Sequence, residues 1–64
     1  QIQFLDNSNL IYYKENSVFF KNRKTNQLYK IEIVEKSFKK FYYNDQILTI
    51  FTDRGITNYK ITLP

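Results

Sequence analysis

The sequence contains no cysteine, no histidine, no tryptophan and no methionine, with a single glycine and a single proline among 64 residues. Without cysteine and histidine, disulfide staples and the common zinc and haem arrangements are excluded. A nucleophilic triad needs a histidine or an equivalent base beside its nucleophile, which leaves only Ser–Lys variants. Ser8, Ser17 and Ser37 stand in turn or strand-edge contexts with no motif around them. No glycine-rich phosphate loop occurs. No apolar run approaches the roughly 18 residues of a membrane span, and no signal peptide is visible. Compartment therefore stays open. Methionine is missing at position 1 as well, as expected of an excised fragment or a processed product.

A chain this short allows one domain and buries only roughly 60% of its unfolded surface. Small folds usually add disulfides, metals or oligomerisation. With the first two closed, a protein partner or self-association is the remaining support. Six phenylalanines and six tyrosines supply unusual apolar area per residue. Ten lysines and arginines against six carboxylates give a net charge of +4, which leans only slightly toward acidic partners and association with nucleic acid or anionic lipid. The chain lacks the length to form a pocket for a small-molecule substrate, and no cofactor is implied.

What is present reads as strand. Alanine is absent and leucine sparse, while β-branched and aromatic residues recur in short runs broken by turn formers. The runs are Ile2–Leu5, Leu10–Tyr13, Val18–Lys21, Leu28–Val34, Phe38–Tyr43, Ile47–Thr52 and Ile56–Leu63. Between them lie Asp6-Asn7-Ser8-Asn9, Lys14-Glu15-Asn16, the polar loop 22–26, Asn44-Asp45 and Asp53-Arg54-Gly55. In the last of these the lone glycine suits a position with φ > 0. Only Val34–Phe41 could be argued helical, and it alternates equally well. The expectation is an all-β antiparallel meander of about seven short strands. In Leu28–Val34, Tyr29, Ile31 and Ile33 face one way and Lys30 and Glu32 the other.

Several strands are apolar on both sides: Leu10–Tyr13, Val18–Phe20 and Ile47–Phe51. Such strands belong between two layers, and so short a chain has little material to supply both. Two internal registers compete. An offset of 30 pairs Tyr12-Tyr13 with Tyr42-Tyr43 and Tyr29-Lys30-Ile31 with Tyr59-Lys60-Ile61. An offset of 39 sets Asp6-Asn7 on Asp45-Gln46 and Lys14-Glu15-Asn16 on Asp53-Arg54-Gly55. Because it matches turn with turn, the second is preferred.

On that register, residues 1–34 form a first repeat and 35–64 a second. Ile2–Leu5, Leu10–Tyr13, Val18–Asn22 and Leu28–Val34 then resemble the four strands of a β-propeller blade of the WD-repeat kind. The remaining runs resemble the first three strands of the next blade. Asn16–Asn22 is similar to that family's third strand, as is Asp53–Tyr59, although Phe20-Lys21 and Tyr59-Lys60 replace its Trp-Asp ending. The resemblance implies a non-catalytic scaffold that completes or stacks on a partner, with Tyr12, Phe19, Phe20, Tyr43, Ile50 and Phe51 as packing positions. A ring-forming lectin-like protein is a weaker variant, since sugar sites usually use tryptophan.

The carboxylates Asp6, Glu15, Glu32, Glu35, Asp45 and Asp53 are mostly turn residues, suited to local backbone hydrogen bonding rather than catalysis. No enzyme is expected. The alternative function is a small basic barrel of OB or SH3 type that holds single-stranded nucleic acid. Its contacts would be Lys21, Arg23, Lys24, Lys39, Lys40 and Tyr42, with Lys30 and Lys36 in the same basic clusters. Alternation along Phe38–Tyr43 would place Phe38, Lys40 and Tyr42 together on one face. The competing explanation for these lysines is a solvated edge that prevents sheet-to-sheet aggregation.

Overall fold

A computed structural model describes residues 1–34 and 37–62. It is all-β, with seven strands: β1 (Ile2–Phe4), β2 (Asn9–Lys14), β3 (Ser17–Asn22), β4 (Leu28–Glu32), β5 (Phe38–Asn44), β6 (Ile47–Thr52) and β7 (Gly55–Lys60). All pairings are antiparallel between chain neighbours. They divide into a four-stranded sheet, β1-β2-β3-β4, and a three-stranded sheet, β5-β6-β7. The chain correspondingly forms two compact units, Gln1–Val34 and Glu35–Pro64. Glu35, Lys36 and the expected strand end at Leu63 lie outside the described residues.

Turn chemistry fixes each register. Asp6 opens the β1–β2 turn by accepting from the Ser8 and Asn9 amides at 2.7 and 2.8 Å through Oδ1. This is the Asx arrangement that lets a short polar side chain replace a backbone turn bond. The Asn9 side chain donates to Oδ2 at 3.0 Å. Those hydrogen bonds, the Asn9 side chain's first, hold the Asp6 carboxyl below the usual aspartate range. Asn22 does the same after β3, accepting from the Lys24 and Thr25 amides at 2.9 and 3.0 Å.

The β2–β3 and β5–β6 connections are two-residue turns with both residues at positive φ. Glu15 and Asn16 stand at 51° and 64°, and Asp45 and Gln46 at 50° and 67°. Left-handed residues at both central positions mark the I′ class, whose twist matches that of the flanking strands. Gly55 at φ 133° opens β7 and occupies the expected glycine-requiring position.

These turns revise the internal register. Glu15-Asn16 and Asp45-Gln46 are 30 residues apart, and the buried trio Ile11, Val18 and Phe20 maps at the same spacing onto Phe41, Leu48 and Ile50. The preferred offset of 39 fails at the turns, because Asp6, Asn7 and Arg54 do not take positive φ. In backbone geometry β2-β3 therefore repeats as β5-β6. The last strand of each unit follows at 28 rather than 30: Val18 pairs with Ile31 where Leu48 pairs with Tyr59. Asn22 and Gln27 are still bonded, so four residues, 23–26, separate the paired ends of β3 and β4 against two, 53–54, between β6 and β7, which equals the slip. The Tyr29/Tyr59 identity is consequently a coincidence of composition.

One face of each sheet is buried. On the first it holds Ile11, Val18 and Phe20, with Ile33 beyond the end of β4; on the second, Phe41, Leu48 and Ile50. Burying side chains of this size stabilises by about 1.5–3 kcal/mol each. On the same face of the second sheet, the Tyr43 hydroxyl donates to the Ile61 carbonyl at 2.9 Å. Burial, and then the Asp45 carboxylate, push its phenol above the ordinary tyrosine range. Val34, expected in the fourth strand, lies past its end and is 83% exposed.

Candidate functional site: two aromatic and cationic sheet faces

The opposite face of each sheet is where unassigned chemistry collects. Directly opposed residues in an antiparallel pair share a face, so the registers give rows across the first sheet. One row is Phe4, Leu10, Lys21 and Leu28; the next is Ile2, Tyr12, Phe19 and Lys30. A third, Lys14, Ser17 and Glu32, closes the face at one end. Tyr12 and Phe19 stack with centroids 5.0 Å apart and planes 15° from parallel. Lys30 Nζ lies 6.0 Å from the Phe19 ring centroid. Arg23, just beyond β3, places its guanidinium carbon 5.5 Å from the Phe4 centroid while Nη2 donates to the Asn7 carbonyl. Exposed cation–ring contacts of this kind contribute about 0.5–1 kcal/mol each.

On the second sheet the rows are Lys40, Phe51 and Ile56; Tyr42, Thr49 and Asn58; and Asn44, Ile47 and Lys60. Lys40 Nζ sits 5.0 Å from the Phe51 centroid, and the Thr49 hydroxyl donates to Asn58 Oδ1 at 2.8 Å. Tyr42, Ile47 and Ile56 are exposed.

A β-bulge alters the expected arrangement on β5. Phe38 pairs with Thr52 but Lys40 pairs with Phe51, so Lys39 is an extra residue without a partner in the ladder. An inserted residue flips the side of everything before it. Phe38 therefore joins Phe41 and Tyr43 on the buried face, and the expected grouping of Phe38 with Lys40 and Tyr42 is wrong. The ring beside Lys40 is Phe51, from the neighbouring strand. Lys39 instead forms an ion pair with Asp53 at 3.1 Å, both side chains well exposed, a contact of about 0–1 kcal/mol.

The six expected packing positions separate by face. Phe20, Tyr43 and Ile50 lie on the buried faces, whereas Tyr12, Phe19 and Phe51 lie half-buried on the opposite ones. The expected nucleic-acid contacts also separate. Lys21 and Arg23 belong to the first sheet and its rim, Lys40 and Tyr42 to the face of the second, and Lys24 and Lys39 to the turn and the bulge. The sequence reading missed Phe4 as the seat of Arg23, which depends on the β1–β2 turn reaching the end of β3. That closure is visible in the Arg23 amide donating to the Ser8 carbonyl at 2.7 Å.

Among the described residues, no group of three or more histidine, cysteine, aspartate or glutamate side chains comes together, and no helix is long and apolar enough to cross a membrane. Comparison with family models, with curated proteins and with solved structures yields no match to this chain.

Proposed function

We propose that the chain is a non-catalytic interaction module, akin to a stretch of β-propeller, whose second sheet faces are covered by protein. One observation carries the reading. Ile2, Phe4 and Leu28 on the first sheet, and Tyr42, Ile47 and Ile56 on the second, are 38–62% exposed and share a face with half-buried rings. Scattered exposed apolar residues are ordinary, but on the first sheet half-buried Leu10, Tyr12 and Phe19 join Ile2 and Phe4 into one apolar patch, and such patches mark interaction surfaces. The backbone supports a stacking role, since a meander repeated at 30 residues offers a flat, two-sided layer each time. The Asp6 carboxylate holds its turn and that of Asp53 pairs with Lys39.

Solution mass tests this, measured by size-exclusion chromatography with light scattering at low and at high salt. Lysines ring both faces, so like-charge repulsion opposes self-association at low salt and is screened at high salt. The expected result is association that strengthens with salt and is lost in Ile47→Ser/Ile56→Ser. A chain that stays monomeric at both salts would sink the reading and favour a closed small barrel.

A further inference from the structure

We infer that the exposed face of the first sheet docks an acidic, aliphatic polypeptide surface; this rests on the interaction-module reading and specifies the partner's chemistry. Charge is segregated in this chain. The strand lysines of the first sheet, Lys14, Lys21 and Lys30, all fall on this one face, and Arg23 overhangs its rim. Its single carboxylate, Glu32, stands in the end row opposite Ser17. The rows that hold Phe4, Tyr12 and Phe19 contain cations and no anion. A complementary surface is therefore negative.

The rings decide between a protein and a nucleic acid. Base stacking needs an open π-face. Here Arg23 lies over Phe4, Lys30 over Phe19, and Tyr12 is stacked on Phe19. These contacts hold the cations in place without neutralising them, so their outward N–H groups are preset for carboxylates. Leu10 and Leu28 share the row of Phe4, and Ile2 that of Tyr12 and Phe19, and aliphatic side chains meet them better than bases do. On this face a second copy is disfavoured at low salt, where repulsion is unscreened, because the corresponding face of the second sheet carries Lys40 and Lys60 and no carboxylate.

The test is a titration of the full chain, followed through the backbone amide resonances of β2, β3 and β4. The probes are an alternating Glu-Leu peptide of about eight residues, enough to cross four strands, its Gln-Leu and Lys-Leu counterparts, and an oligothymidine of about 15 nucleotides. The expected result is that Glu-Leu binds best and weakens with salt. Lys30→Gln and Arg23→Gln should each weaken it about two- to fivefold, with Lys30→Arg restoring binding. Equal binding of Gln-Leu would overturn the acidic partner while leaving the interaction face standing. No binding by any peptide would remove both. Tighter binding of oligothymidine, lost in Tyr12→Leu, would assign the face to nucleic acid instead.

Discussion

Gln46 and Asn16 occupy the same place in two equivalent turns, and replacing each by glycine should have unequal effects. Both are left-handed, at φ 67° and 64°. For an ordinary L-residue that conformation costs about 1–2 kcal/mol, whereas asparagine visits it routinely. Glycine removes the strain but frees the unfolded chain, a loss of about 0.4–1 kcal/mol. Gln46→Gly should then stabilise the second sheet by about 0.5–1 kcal/mol. Asn16→Gly gains little and gives up the Tyr13 hydroxyl bond to its side chain at 3.3 Å, so it should be neutral or slightly destabilising. In thermal unfolding the gain corresponds to a rise of about 2–8 °C in Tm. A local readout avoids assuming that both units unfold together. The Ile61 amide donates to the Gln46 carbonyl at 2.7 Å, a backbone bond that glycine keeps, so its hydrogen exchange should slow about two- to fivefold. Equal destabilisation by the two substitutions would refute the I′ assignment and with it the 30-residue register. Gln46→Asn should fall between wild type and Gln46→Gly.

Three further outcomes follow from the geometry. Phe41→Ala empties a side chain 1% exposed and should cost about 3–5 kcal/mol, enough to abolish exchange protection throughout β5–β7; Tyr42→Ala, exposed on the other face, should cost less than about 1 kcal/mol. The Asp6 carboxyl is held low in the folded state, so its contribution is complete above about pH 4 and is lost as pH falls through the folded value. Acid titrations of Asp6→Asn, which keeps the Oδ1 acceptor, should lack that loss, and an unchanged acid limb would contradict the turn geometry. Tyr43 has its phenol raised, so its stabilising effect is present below about pH 10 and disappears as pH rises through the higher folded value. By tyrosinate absorbance Tyr43→Phe should remove a phenol that titrates above the ordinary tyrosine range, and by denaturant unfolding it should lose about 1 kcal/mol with the Ile61 hydrogen bond.

The strands were legible because composition and turn residues agree. Five of the seven runs of β-branched and aromatic residues end at Asp, Asn or Lys-Glu-Asn, and all seven correspond to strands. The register of the repeat was harder, for a physical reason. Asp6-Asn7, Glu15-Asn16 and Asp45-Gln46 are all an acid followed by an amide residue, and letters alone do not separate an Asx turn from a left-handed pair. The number of residues between flanking strands does separate them. Four residues, 5–8, join β1 to β2, while two join β2 to β3 and β5 to β6. Strand boundaries to within one residue were needed to see this.

The bulge at Lys39 left a trace in the spacing of rings, and following it changes what the basic residues mean. Phe38 and Phe41 are three apart, an odd spacing that a regular strand sends to opposite faces. Burying both requires an extra residue between them, and Lys39 is that residue. Two adjacent lysines therefore have different duties. Lys39 is carried out of the ladder toward Asp53, as befits an edge strand that must resist pairing. Lys40 stays in the ladder and leans over Phe51. The lysine-edge explanation and the binding-face explanation, which compete when Lys39-Lys40 is read as one basic cluster, concern separate residues once the bulge is placed: the first fits Lys39, and the proposed face would include Lys40. The same division separates Lys24, in a turn capped by Asn22, from Lys21 and Lys30, in the rows between aromatic and aliphatic side chains. On the proposed reading, basic residues in the rows bear on partner choice and those in the turn and the bulge on solubility. Neutralising Lys24 and Lys39 should thus leave partner binding intact, and neutralising Lys30 and Arg23 should not.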